Sequence, residues 1–390
     1  MLLSKKILNL SPSPTLALDA KAKALTKQGK KVINLTIGEP DFATPNNICH
    51  AAIEAIEQGF THYTPSAGIL DLRIAIADKL KKENNLIYDP NTEIVVGVGT
   101  KQILYSLFLT ICNPDDEIIV FAPVWSTYIE QIKLAGGKPI VINLKPPFDI
   151  SANILRKYIS TKTKAIVINS PCNPTGRMIS ESELKKIADI AVKNKILVIS
   201  DEIYEHIIYN KKHTSIASLG EEIKELTITV NGFSKSYAMT GWRIGYAAGP
   251  KNIIKGMVDI ASQTTSGTSS ISQYAALEAY KGSNKSMKNM SAQFAKRKNY
   301  LVKQLNKVNY LDYIEPDGAF YIFLDLRKIL SKQHITSSQW CEKLLENKGV
   351  AIVSGEAFCM PGYARISFAT NLQNIRNGIN RIQQFVQLSK

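Results

Sequence analysis

The chain has 390 residues, 45% of them hydrophobic, with a formal net charge of +15. That length is enough to bury a sizeable core in two or three structural units. No run approaches the roughly 18 consecutive apolar residues that span a bilayer. The start MLLSKKILNLSPSP breaks into polar residues and prolines before any signal-like apolar stretch develops. The five cysteines form no CxxC pair and no regular spacing, so neither a disulfide framework nor a metal site is expected, and a reducing cytoplasm is. The excess charge is mostly lysine in scattered pairs such as Lys81-Lys82 and Lys185-Lys186. It reads as solvated surface rather than a nucleic-acid-binding tract.

Along the chain, short β-branched runs alternate with helical stretches. The runs are EIVVGV (93–98), EIIVF (117–121), KPIVIN (138–143), KAIVIN (164–169), KILVIS (195–200) and LTITVN (226–231). Apolar runs without alternation suit strands buried on both faces, so an α/β fold with a mostly parallel, doubly covered sheet is predicted. Residues 100–112 and 180–195 have helical spacing, the second opening on a capping-type Ser180-Glu181-Ser182-Glu183. Past about residue 285 comes a long basic helix, then strands FYIFLDL, GVAIVSG and YARISFAT, then a terminal amphipathic helix. The expected organisation is an N-terminal segment (1–44) packing with a smaller α+β domain (285–390), around a large domain (45–284).

In open α/β sheets ligands collect at the carboxyl ends of strands. After EIVVGV, Gly99-Thr100-Lys101 opens a helix whose first backbone N–H groups suit a phosphate; a plain helix cap is the alternative. After KAIVIN, Ser170-Pro171-Cys172-Asn173-Pro174-Thr175-Gly176 forms a rigid turn projecting the Asn173 amide, or a bland loop. After KILVIS come Asp201 and, one helical turn on, Tyr204; Asp201 is either a helix N-cap or the partner of a cationic ring. After LTITVN comes GFSKSYAMTGWRIGY, where Lys235 in a small-residue, apolar segment is either a surface lysine or a desolvated, nucleophilic amine. Arg243 and Arg365 stand in apolar, strand-like contexts, and a buried arginine needs an anion: a carboxylate, a phosphate or an internal Asp or Glu.

Taken together, GEPDFATP, HYTPSAG, SPCNPTG, SDEIYEH, GFSKSYAMTGWRIGY and ARISFAT resemble the class I aminotransferases of the fold type I pyridoxal-phosphate enzymes, and among them the bacterial aspartate aminotransferase branch. The resemblance covers nearly the whole chain. It implies pyridoxal 5'-phosphate held as a Schiff base on Lys235, which then moves the proton at the substrate Cα. Asp201 would keep the pyridine nitrogen protonated, Asn173 and Tyr204 would bond the ring oxygen, and Trp125 would stack on the ring. Arg243, Gly99, Thr100 and Lys101 would surround the phosphate, joined by Tyr63 from a neighbouring subunit of a homodimer.

Gly38 and Arg365 would receive the substrate α-carboxylate, and Lys101, helped by Ser13 and Thr15, a distal carboxylate. Trp125 and Asn173 would also contact substrate. The implied reaction is a ping-pong transfer from L-aspartate to 2-oxoglutarate. Aromatic, alanine, kynurenine or prephenate specificity and a fold type I lyase are the alternatives, and a nucleic-acid-binding regulator is the remote one. Four positions depart from the family's usual pattern or bear on its range. Cys172 stands where many relatives have Asn, and Gly232 removes a serine hydroxyl used elsewhere for the phosphate. Of the basic positions tied to prephenate use, one is occupied by Ser11 while Lys30 lies near the other, which argues against prephenate as a substrate.

Overall fold

The computed structural model describes residues 3–8, 10, 11 and 14–388, with the side chains of residues 5, 14–16 and 388 excepted. Ser13 and the Thr15 side chain, both expected at the substrate site, lie outside the described residues. The strands run in chain order as β1 (Ile33–Asn34), β2 (Ile94–Gly97), β3 (Glu117–Ala122), β4 (Lys138–Asn143), β5 (Thr163–Asn169), β6 (Leu197–Asp201), β7 (Thr227–Gly232), β8 (Gly245–Ala248), β9 (Asp312–Ile314), β10 (Tyr321–Asp325), β11 (Val350–Ala351), β12 (Val353–Ser354) and β13 (Tyr363–Ser367).

Seven strands make one sheet in the order β2-β8-β7-β6-β5-β3-β4. Pairing is parallel from β7 through β4, and β8 is antiparallel to both its neighbours. Successive residues of β3 serve opposite faces: Ile118 and Val120 join helices Gly99–Ile111 and Lys251–Thr264, whereas Ile119 and Phe121 join helix Glu181–Asn194. This two-sided burial is why the strand sequences are continuously apolar. Helix Glu181–Asn194 starts as expected, with Ser180 Oγ accepting from the Glu183 amide. A second, antiparallel sheet runs β12-β13-β10-β9, and β1 pairs in parallel with β11.

Four local expectations are corrected. Residues 349–355 do not form one strand: Val350–Ala351 pairs with β1 and Val353–Ser354 with β13, so the segment is shared between two sheets. The strand-like stretch around Arg243 is displaced: β8 begins only at Gly245 and runs to Ala248, its Gly-Tyr-Ala-Ala sequence carrying no β-branched residue and buried throughout. The stretch after β6 is a series of turns rather than a helix, and Asp201 caps that turn by accepting from the Ile203 amide at 3.2 Å. Arg243 is not buried. The chain reverses there with φ 54°, and the side chain is exposed in the chain taken alone.

Three glycines meet close to that turn. Gly232 of β7 sits opposite Gly245 of β8, and a Cβ on Gly232 would lie 2.9 Å from the Gly245 Cα. A Cβ on Gly245 would meet the Thr100 amide at 2.7 Å, so the first turn of helix Gly99–Ile111 packs directly on the strand pair. Gly99 itself has φ +75° and leaves the space through which the Arg243 guanidinium passes. The serine hydroxyl missing at Gly232 is therefore excluded by backbone packing.

Behind the carboxyl ends of β6 and β7 lies a buried polar cluster. Lys79, from helix Leu70–Asn84, pairs with Glu205, which also accepts from Asn231 at 2.6 Å and Asn84 at 2.8 Å. Glu202 accepts from Ser200 and Ser215 and meets His213 at 3.1 Å. The cluster ties the turn after β6, through Asn231, to β7.

Burial alone would raise the Glu205 carboxyl, but the Lys79 ammonium together with His206 and His213 outweighs it, and the group ends well below the usual carboxylate range. A depressed folded value contributes stability above the unfolded value of about 4.3, and that stability is lost as pH falls below it. Urea unfolding measured against pH should show this acid loss in the unaltered chain. In Lys79→Met the loss should shrink, and stability near neutral pH should drop by roughly 3–5 kcal/mol, because a buried carboxylate is left uncompensated. Gly99→Ala should cost about 1–2 kcal/mol from the left-handed backbone alone. Its Cβ, 2.8 Å from the Arg243 Nη2 position, should also displace that guanidinium, readable as weaker binding of inorganic phosphate.

Candidate active site

The carboxyl ends of β3, β5, β6 and β7 open into a cavity of about 540 Å³, closed on its far side by β10, β13 and the residues after β1. This is within the size range of small-molecule sites. Asp201, the last residue of β6, is 3% exposed. Its Oδ2 accepts from the Tyr128 hydroxyl at 2.6 Å, and burial pushes its carboxyl up to about 6. Asn169 ends β5 and ties two loops, its Nδ2 donating to the Asp201 carbonyl at 3.0 Å and its Oδ1 accepting from the Asn173 amide at 2.8 Å. Asn173 is thereby aimed into the cavity.

Lys235, three residues past β7, donates from Nζ to the Gly38 carbonyl at 2.5 Å. Burial lowers its ammonium to about 8; Glu39 opposes that, and Arg365 and Arg243 add to it. The free amine therefore becomes the majority form as pH rises through about 8.

Arg365, in the middle of β13, is 2% exposed. Its Nη1 donates to Asn173 Oδ1 at 2.8 Å and its Nη2 to the Thr36 carbonyl at 2.6 Å, while Nε has no partner. The guanidinium lies over the Tyr321 ring at 4.3 Å and the Phe358 ring at 4.9 Å. Among the described residues no carboxylate pairs with it, so the internal salt bridge is not what this arginine has found. From Thr36 the hydrogen bonds continue outward: its hydroxyl donates to Asn34 Oδ1 at 2.7 Å, and Asn34 Nδ2 donates to Asp19 Oδ1 at 2.6 Å. Asp19 belongs to helix Pro14–Lys27, so the N-terminal segment is wired to Arg365.

The remaining expected residues fall into two groups. Tyr204 bonds the Tyr321 hydroxyl at 2.8 Å. Trp125 carries Lys101 Nζ at 5.1 Å above its ring, and burial, aided by Arg243, lowers the Lys101 ammonium. Thr100, Gly38 and Arg243 also line the cavity, with Arg243 Nη1 donating to the Thr240 carbonyl at 2.7 Å and Gly99 packed against the guanidinium. Tyr63 is the exception: it is 96% exposed and does not reach this chain's own cavity.

Sequence reasoning missed Tyr128 and Tyr321, whose partners are distant in sequence, and the Asp19–Lys23 ion pair at the cavity mouth. Tyr128 was within reach, three residues past Trp125 and hence one helical turn away. The lining carries five cationic side chains against three carboxylates, which favours anionic occupants. The residues fit pyridoxal phosphate. A desolvated amine stands for its aldehyde, a buried carboxylate for its ring nitrogen, and a helix N-terminus beside Arg243 for its phosphate. Arg365, whose buried Nε has no hydrogen-bond partner, lines the same cavity.

Comparison with known proteins agrees with this geometry. The chain is 47% identical to the aspartate aminotransferase of Bacillus sp. (strain YM-2), with 99% of each chain covered. It is 44% identical to a probable aspartate/prephenate aminotransferase of Aquifex aeolicus, covering 99% of this chain and 98% of that one. The solved structure of Thermus thermophilus aspartate aminotransferase with maleate superposes with a TM-score of 0.94 at 39% identity, over 99% of this chain and 100% of that one. Residues 30–382 match the model of the family described as aminotransferase class I and II, and the chain belongs to that family.

Proposed function

We propose that the chain transfers the amino group of L-aspartate to 2-oxoglutarate, giving oxaloacetate and L-glutamate, with pyridoxal phosphate carried on Lys235. The observation that carries this reading is the pair of cations in one cavity. Arg365 is held by Asn173, Thr36 and two aromatic rings yet, among the described residues, is free of any carboxylate, and Lys101 is partly desolvated above Trp125. A dicarboxylic substrate answers both charges, Arg365 taking the α-carboxylate bidentately and Lys101 the distal one. The names of the relatives support the same substrate class.

When bound, the cofactor supplies an electron sink for the charge that develops at the substrate Cα. The chain's own groups do the rest. Asp201 provides a buried anion to pair with a ring cation, Asn173 and Tyr204 offer hydrogen bonds to the ring oxygen, and Trp125 packs on its face. Arg243, Gly99 and Thr100 receive the phosphate. Lys235 Nζ, neutral once pH passes about 8 in the free chain, removes and returns the proton at Cα. The segment 1–44 and residues 285–390 close over residues 45–284 and exclude water, with Asp19, Asn34 and Thr36 joining the N-terminal helix to Arg365. Tyr63, exposed and turned from its own cavity, serves the phosphate of the second subunit of a homodimer. The free cysteines suit a cytoplasmic enzyme.

Single-turnover loss of the cofactor's absorbance should be fast with aspartate and glutamate and slow with alanine and phenylalanine. Lys101→Ala should raise the KM for aspartate by about tenfold or more, the worth of a charge-assisted hydrogen bond, and leave that for alanine nearly unchanged. Equal effects on both substrates, or preferential use of aromatic donors or prephenate, would overturn the dicarboxylate assignment.

A further inference from the structure

Tyr128 has no part in the chemistry assigned above, yet it makes the shortest contact to Asp201. Its ring is 2% exposed, set edge-on to Trp125 at 5.3 Å, and its hydroxyl donates to Asp201 Oδ2 at 2.6 Å. The other oxygen, Oδ1, takes the Ile203 amide. The carboxylate is thus gripped from two elements, helix Thr127–Leu134 and the turn after β6, which fixes its plane. Burial, then the negative Asp201, hold the Tyr128 phenol well above its ordinary value, so it acts only as a donor.

The groups that face Asp201 and Tyr128 are Glu202 beside it, Tyr204 from the following turn, Lys235 from the loop after β7 and Cys172 from the loop after β5. Glu202 disfavours ionisation of Asp201 and Lys235 favours it. Tyr128 is the one neutral side chain among them that stabilises the anion by direct donation.

We propose that Tyr128 is a positioning residue for the reaction: its hydroxyl keeps Asp201 ionised and oriented toward the cofactor's ring nitrogen, an inference that rests on the role given to Asp201 above. A merely structural role would make Tyr128 a space-filling ring that has found a convenient acceptor. The two roles differ in whether the hydroxyl matters once Asp201 has lost its charge.

The test is binding of pyridoxal phosphate to the cofactor-free full chain, followed by quenching of protein fluorescence over the pH range in which the chain stays folded. It compares the unaltered chain with Tyr128→Phe, Asp201→Asn and the double variant. Tyr128→Phe should weaken binding about 10- to 100-fold, the worth of a hydrogen bond to a charged group. The acid limb of its affinity profile should move to higher pH, because Asp201 without its donor keeps its proton longer. In the Asp201→Asn background the same change should have little effect.

As a second measurement, the ring-nitrogen chemical shift of ¹⁵N-labelled cofactor at saturation should show a smaller protonated fraction in Tyr128→Phe. An unmoved affinity profile, or an equal loss in both backgrounds, overturns the inference while the role of Asp201 stands. If Asp201→Asn binds like the unaltered chain, the reading of Asp201 fails and the inference falls with it.

Discussion

A full positive charge, that of Arg365, sits in the interior with no negative partner among the described residues, and the cavity is arranged around it. Taking the Arg365 guanidinium out of water costs several kcal/mol. The fold meets that cost with dipoles and ring faces: Asn173 Oδ1, the Thr36 carbonyl and the Tyr321 and Phe358 rings. Each contact also fixes a different segment. Asn173 belongs to the loop after β5, Thr36 to the stretch after β1, and Tyr321 to β10, whose hydroxyl in turn holds Tyr204 after β6. The charge left unmatched is what makes the cavity select an anion, and the same contacts hold the cavity's walls in register.

Opposite Arg365 the problem is reversed, because Asp201 is an anion that burial pushes toward neutrality. Its turn cannot drift, since Glu202 and Glu205 anchor it from beneath to Lys79, Asn84 and Asn231. Lys235 lies on the loop that leaves β7 just beyond Asn231, so one buried cluster steadies both the carboxylate and the amine. A buried ion cluster adds little net stability compared with apolar packing. Its evident service here is to hold two strand ends in fixed relation.

Much of this was legible in the sequence, for physical reasons. The strand at 138–143 matches its expected bounds because its Ile-Val-Ile core has strong β propensity and its proline sits on the edge strand of the sheet, where it is tolerated. Asp201, Asn173 and Lys235 could be named because each lies within four residues of the end of such a run. Arg365 stood out as a scarce arginine in an apolar stretch. Arg243 misled by the same rule: Ile244 and Gly245 after it are buried, but Arg243 itself sits in a left-handed turn and its side chain is exposed at the open cavity. Tyr128 and Tyr321 escaped notice because their partners lie 73 and 117 positions away, a separation that local pattern does not encode. The split of residues 349–355 was hidden likewise, since its cause is pairing with Ile33 and Asn34 near the other end of the chain.

The run of hydrogen bonds from Arg365 through Thr36 and Asn34 to Asp19 has a thermodynamic consequence. Two sites joined by such a chain are reciprocal: if docking of helix Pro14–Lys27 tightens the grip on a carboxylate by some factor, the carboxylate tightens docking of the helix by the same factor. Under the proposed function, a carboxylate ligand on Arg365 would then help to seal the compartment in which it reacts, and one lacking that carboxylate would not.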